Sequence, residues 1–221
     1  MMTLRRNVVR CFGGTAFTLI ELLIVVAIIA ILAAIAVPNF LEAQVRAKVS
    51  RAMADMRSIA TGLEAYAVDC NQYPPNDGVY NVVPIELTTP VAYLTNSLLV
   101  DPFSSQLIHP TYGELARYYT YDWIVTFEEF QAIIQSGSPK RPPVEAIDSA
   151  AFNPGALGKY GRWRLVSNGP DLSYKDPNFA MGSEPSDPNN VLQGADVVYD
   201  ATNGTRSKGN ILRTQRDTVR K

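Results

Sequence analysis

Glu21 is the single charged residue in a run of 21, from Phe17 to Val37, that is otherwise apolar or uncharged. A carboxylate in such surroundings costs about 2.5–3.5 kcal/mol on membrane-insertion scales. Its place near the start of the run softens that cost, because the side chain can reach toward the interface, yet an acid there still wants a partner. A second concentration of acids lies near the other end. Asp171, Asp176, Glu184, Asp187, Asp196 and Asp200 face a single lysine, Lys175, across the same segment. Hard oxygen ligands on loops suit Ca²⁺, although the spacing is not that of an EF-hand; a solvated acidic loop is the plain alternative. Nucleophilic chemistry is poorly supplied. There is one histidine, His109, followed by Pro110, and there are two cysteines, Cys11 and Cys70. A Ser-His-Asp or Cys-His arrangement would have to use these very residues. Phosphate-binding glycine loops, H-E-x-x-H and C-x-x-C are absent. The formal net charge is -1 over 221 residues, which offers no basic footprint for nucleic acid. The reading is therefore of a chain that is not an enzyme.

The elements that would carry these residues follow from hydrophobic patterning. Residues 1–16 contain Arg5, Arg6 and Arg10 and no acid. At 1.5 Å per residue the apolar run spans about 31 Å, enough to cross a bilayer core. The arginines ahead of it favour an N-inside orientation in the cytoplasmic membrane, with the rest of the chain outside. Three readings compete. Ala34-Ile35-Ala36 resembles a secretory cleavage site, but the run is longer than a signal peptide needs and holds a glutamate. A plain signal anchor fits the length and gives Glu21 no purpose. The third reading is a processed segment, taken up below.

Past Val37 the apolar residues Leu41, Val45, Val49, Met53, Met56, Ile59, Leu63 and Tyr66 recur at spacings of three and four, one face of a helix. The pattern predicts a single helix from Phe17 to about Val68, roughly 78 Å if straight, bent or loosened at Pro38. Its stripe over 49–66 is expected to pack on the chain's own globular domain, with Asp55, Glu64 and the other charges on a solvated face. Asp69 to Pro75 ends it. Cys70 is expected to be unpaired and semi-buried. Residues 69–117 read as an irregular connection. Tyr118 to Thr126 and Arg162 to Ser167 read as strands. Thr126 with Glu129 resembles a capping box opening a helix to about Gln135 that Gly137 stops. Ala195–Asp200 and Asn210–Arg213 read as two further strands, with Asn203-Gly204 as a hairpin between them. The fold class is α+β: a long N-terminal helix, its first half transmembrane, packed on a small antiparallel β-sheet with long loops. A basic tail, 214–221, closes the chain.

Gly13-Gly14-Thr15-Ala16 followed by Phe17-Thr18-Leu19-Ile20-Glu21 resembles the class III signal of type IV prepilins, and Pro38 stands where helices of that family carry a proline. The resemblance implies cleavage between Ala16 and Phe17 by a prepilin peptidase and methylation of the new amine. It departs from the family in having Ala16 rather than glycine before the cut. It also implies that Glu21 pairs with the Phe17 ammonium of a neighbouring subunit, so that two charges cancel inside a helix bundle. Val37 to Gln44, the exit Asn71-Gln-Tyr-Pro-Pro75, Thr89-Pro90 with Tyr93-Leu94, Asp101-Pro102-Phe103, and Trp163 to Asp171 are similar to stretches of the major pseudopilin of type II secretion. That family implies a filament subunit supporting protein secretion, with an inner-membrane assembly platform, a motor and minor pseudopilins as partners. It also implies a calcium site, for which Asp171, Asp196 and Asp200 are the matching carboxylates. Within the same class stands a surface type IV pilin for adhesion, motility or DNA uptake. From other classes stand a membrane-anchored Ca²⁺-dependent binding module and a membrane-anchored enzyme. The segment Phe127–Tyr160 has no counterpart and reads as an insertion.

Overall fold

Apolar residues at helical spacing, joined without a break to the apolar run, produce one helix, α1, from Leu19 to Cys70. The computed structural model in which it is seen describes residues 17–75, 82–104, 117–140, 142, 147–148, 155–170, 199 and 211–216. α1 continues through Pro38, a position that removes one backbone donor. It ends at Asn71, whose φ of 56° is the left-handed conformation that asparagine tolerates at a helix end.

The chain divides after Leu41. In the first unit every described residue, Phe17 to Leu41, is exposed. In the second unit the expected stripe is inside: Val49, Met56, Ile59 and Leu63 are buried together with Leu87, Tyr119, Tyr121, Trp163 and Leu165. Ala52, Ala60 and Gly62 are buried beside them. These small residues let other segments come close: a Cβ on Gly62 would lie 2.9 Å from Cγ of Leu94.

Three strands form the sheet on which this stripe packs: β1 (Thr120–Trp123), β4 (Trp163–Ser167) and β5 (Ile211–Thr214), in the order β1-β4-β5 and antiparallel throughout. β4 is central and all five of its residues are buried. Tyr121 lies opposite Leu165 and Asp122 opposite Arg164. Alternation then sends Tyr121, Trp163 and Leu165 to the α1 side and Asp122, Arg164 and Thr214 to the other. The fold class is the one expected, α+β with an antiparallel sheet.

Several local features differ from the sequence reading. The expected strand 118–126 is split at the buried Ile124 into β1 and a two-residue β2, Val125–Thr126, which pairs in parallel with β3, Ile147–Asp148. A five-residue helix α3, Ala156–Tyr160, precedes β4. Elements this short carry almost no periodicity, so tertiary packing decides them; Ile124, Ala156 and Tyr160 form a second small core. Between 69 and 117 the described residues hold one 3₁₀ turn, Ile85–Leu87, and single bridges from Val82 to Thr120 and Val100 to Tyr118. Helix α2, Phe127–Gln135, matches expectation at both ends. Thr126 and Glu129 form the capping box, and Gly137, at φ 71°, takes the left-handed turn after it. The expected strand 195–200 and the Asn203-Gly204 hairpin lie outside the described residues, apart from the buried Tyr199.

Candidate functional site

The residues singled out for assembly begin with Phe17, 71% exposed, at the entrance to α1; Ala16 lies outside the described residues. Thr18 and Glu21 build a capping box. The Thr18 N–H donates to Glu21 Oε2 at 2.9 Å, the Thr18 hydroxyl donates to the same oxygen at 2.6 Å, and the Glu21 N–H reaches Thr18 Oγ1 at 3.3 Å. A carboxylate in the first turn also complements the partial positive charge of the helix N-terminus. Glu21 therefore has a partner in its own chain, which the sequence reading did not supply, and its other oxygen, Oε1, makes none of these three bonds. Behind it the apolar side chains are outward-facing: Leu19 is 80% exposed, Ile29 57% and Ile35 63%. This stretch of α1 is long and apolar enough to cross a membrane. A row of exposed aliphatic groups with one acid at its head can insert in lipid or pack against copies of itself.

Within the second unit, two of the acids expected on a solvated face, Asp55 and the exposed Glu64, also accept hydrogen bonds from the rest of the domain, as does Asp69. Glu64 accepts from the Trp163 indole N–H at 2.9 Å and from the Tyr73 hydroxyl at 2.8 Å. Gln215 Nε2 in turn donates to the Tyr73 oxygen at 2.6 Å. Asp55 accepts from the Tyr119 hydroxyl at 3.0 Å and Asp69 from that of Tyr93 at 2.8 Å. Burial, reinforced by the Glu64 hydrogen bond, pushes the Tyr73 phenol up to about 12. The bond to Asp69 and then burial do the same for Tyr93, also to about 12. Burial drives Tyr119 and Tyr121 well above the ordinary tyrosine range. These phenols act as hydrogen-bond donors, each anchoring the β domain to α1 or its exit.

Two motifs quoted separately in the sequence come together. Asp101, fully buried, accepts from the Phe103 N–H and the Ser167 hydroxyl, both at 3.0 Å, from the Asn168 N–H at 2.9 Å and from the Ser104 hydroxyl at 3.2 Å. Asn168 Nδ2 also donates to Ser104 Oγ. The Asp-Pro-Phe loop is thereby locked to the end of β4. On the sheet's other face Arg164 is fully buried. Its Nε and Nη2 donate to Asp122 Oδ2 at 2.8 and 2.5 Å, and its guanidinium lies 5.1 Å from the Tyr160 ring centre. Alternation in Trp-Arg-Leu-Val-Ser placed Arg164 opposite the α1 core, but nothing in the sequence showed that this face would also be covered.

A cleft of about 520 Å³ is lined by Ala67, Asn71, Gln72, Tyr73, Trp123, Val125, Glu129, Ala132, Ile133 and Arg162. Arg162 Nη1 donates to Glu129 Oε2 at 2.6 Å. Burial by itself would raise the Glu129 carboxyl, but Arg162 and the Thr126 cap outweigh it and hold the group below the usual carboxylate range.

The proposed calcium ligands Asp171, Asp196 and Asp200, and His109, lie outside the described residues. Among the described residues no group of three or more His, Cys, Asp or Glu is placed to hold a metal. Cys70 is free, as expected, but exposed rather than semi-buried, because it falls on the outward side of the last turn of α1.

Comparison with known proteins covers the same ground. Residues 15–37 match the prokaryotic N-terminal methylation motif, and residues 39–122 match the model of protein G of the type II secretion system. The type IV major pilin PilA of Myxococcus xanthus is 49% identical over 57 residues, 26% of this chain and 26% of its own length. The wide-pilus major component PilA4 of Thermus thermophilus is 41% identical over 87 residues, 39% of this chain and 65% of its own. Core protein G of type II secretion from Escherichia coli is 29% identical over 109 residues, 46% of this chain and 75% of its own. The chain thus spans a quarter to under two thirds of the two pilins, and three quarters of the secretion protein. No solved structure matches it significantly. Residues 15–122 are thus similar to type IV pilin-like proteins, through an N-terminal segment that matches the methylation motif and a following region that matches type II secretion protein G.

Proposed function

We propose that this chain is a structural, non-enzymatic subunit of a type IV pilus-like filament, of the kind that supports type II secretion. The observation that carries the reading is the apolar face of α1 over Leu19–Leu41, exposed along its whole length, with Glu21 held at its head. Before assembly this segment lies in the cytoplasmic membrane, N-terminus inside and the β domain outside, in the periplasm. A prepilin peptidase cuts between Ala16 and Phe17. An inner-membrane platform and motor then move the subunit into a bundle in which Glu21 meets the Phe17 ammonium of a neighbour, alongside minor pseudopilins. The protein G match over residues 39–122 favours a secretion pseudopilus. The identities to the two PilA proteins favour the second reading, a surface pilin. Calcium held by Asp171, Asp196 and Asp200 belongs to the same proposal on the chemistry of the donor set; a rise in unfolding temperature with CaCl₂, lost when all three become asparagine, is its test.

Mass spectrometry of the mature N-terminus, with and without the peptidase, tests the whole reading. A chain starting at N-methylated Phe17 only when the peptidase is present is the expected result. A chain starting at Val37, or one still bearing Met1, would remove the basis for the filament.

A further inference from the structure

Helix α2 is left unused by bundling of α1. It sets Phe130, Ile133 and Ile134 at helical spacing, a pattern that ordinarily enters a core. Yet none of its nine residues is buried, and Ile134 is 42% exposed. The helix is nevertheless firmly held, by its capping box and by the Arg162–Glu129 pair. Between it and the strands lies the cleft of about 520 Å³, to which α2 contributes Ala132 and Ile133 and the strands contribute Trp123 and Val125. It is a preformed concavity of mixed lining: Ala67, Trp123, Val125, Ala132 and Ile133 supply apolar wall, and Asn71, Gln72, Tyr73 and the Arg162–Glu129 pair supply polar groups. The match to protein G stops at residue 122, short of α2.

The same domain carries apolar groups pointing outward from another element. Ile85 is 62% exposed and Val91 54%. They share one loop, and the rest of that loop is tied down. Leu87 is fully buried, the Tyr93 and Leu94 N–H groups donate to the Leu87 carbonyl at 2.9 and 2.8 Å, and the Tyr93 hydroxyl holds Asp69. The two side chains are thus presented on a pre-organised surface, which limits the entropy lost on binding. This loop does not line the cleft of its own chain.

The geometry points to a head-to-tail contact between copies, in which the Ile85–Val91 loop of one copy seats in the α2 cleft of the next. A protruding apolar pair and a separate, partly apolar receptor on one molecule can form the two halves of a heterologous interface, which propagates as an open helical array where its rotation does not close into a ring. The inference rests on the filament reading, because bundling of α1 is what brings successive domains together at high effective concentration. The occupant is accordingly a second copy of this chain, and the contact fixes the rotation between neighbours that an apolar helix bundle leaves loose.

The test uses the full chain with Cys70→Ser, which removes the exposed thiol, plus Val91→Cys and Ala132→Cys. It is expressed with its assembly proteins, oxidised, and followed by gel and electron microscopy. A ladder of cross-linked multimers from the double variant is expected. Mixed single variants should give Val91–Ala132 dimers, and neither single variant should cross-link to itself. Filaments without the cross-link would overturn the contact and leave the filament reading standing. The ladder without filaments would support the contact and remove that reading. Neither ladder nor filaments would remove both, and Val91→Cys pairing with itself would replace the contact by a symmetric one. A second variant, Ala132→Arg, fills the cleft from an exposed position. It should keep the unfolding temperature and lower filament yield roughly tenfold or more; an unchanged yield would overturn the contact.

Discussion

At the scale of single residues, the buried Arg164–Asp122 pair is the sharpest commitment in the domain. Both side chains are withdrawn from water, so neither is tolerable without the other. Arg164→Met should lower stability by about 3–5 kcal/mol, because it strands a buried carboxylate. Adding Asp122→Leu should recover most of that loss, and chemical denaturation of the single and double variants checks both. Glu129 gives the pH-dependent counterpart. Its folded carboxyl titrates below the ordinary value of 4.5, so the stability it contributes is complete above about 4.5 and is lost as pH falls through the lowered value. Glu129→Gln should therefore unfold at a lower temperature than the parent at pH 7, and the two curves should converge as pH falls through the lowered value. Parallel curves across that range would show that the Arg162 pair contributes nothing.

At the scale of elements, α1 is two surfaces in one helix. Up to Leu41 its apolar groups face outward; from Val49 the stripe is inside the domain. The close approach of the Thr89–Leu94 stretch to α1 depends on Gly62, where any Cβ meets Leu94. Gly62→Val should cost about 1–3 kcal/mol through overpacking, and thermal unfolding measures it. A neutral result would mean that Leu94 moves aside freely. The dovetailing of Glu64, Tyr73, Trp163 and Gln215 is of the same scale: a helix, its exit, a central strand and the residue after an edge strand share one chain of hydrogen bonds.

At the scale of the whole molecule, the proposed filament role rests on the apolar segment and the acid at its head. Glu21→Ala should be cut at Phe17 and still enter the membrane, since loss of a charge eases insertion, but should assemble poorly. Counting filaments by microscopy beside mass spectrometry of the N-terminus separates the two steps, and normal filaments from this variant would sink the register role of Glu21. Because Thr18 holds the carboxylate at the helix start, Thr18→Ala should show a milder version of the same defect.

Much of this protein was already determined by its sequence. The 21-residue apolar run, the three-and-four spacing that follows it, the Thr126–Glu129 cap and the β-branched strands are local patterns, and each is written in consecutive residues. The methylation-type segment was legible for the same reason. Tertiary structure decided the rest. Whether Glu64 and Asp55 meet water or an aromatic hydroxyl depends on which segments pack over α1, and those segments lie up to 99 residues away in the chain. The burial of Arg164 depends on Tyr160 and the small second core, built from a five-residue helix and two-residue strands too short to show a period. The α2 stripe announced a helix but not that its face would stay open, because amphipathicity specifies a surface and leaves its partner to whatever the fold, or a neighbouring copy, brings to it.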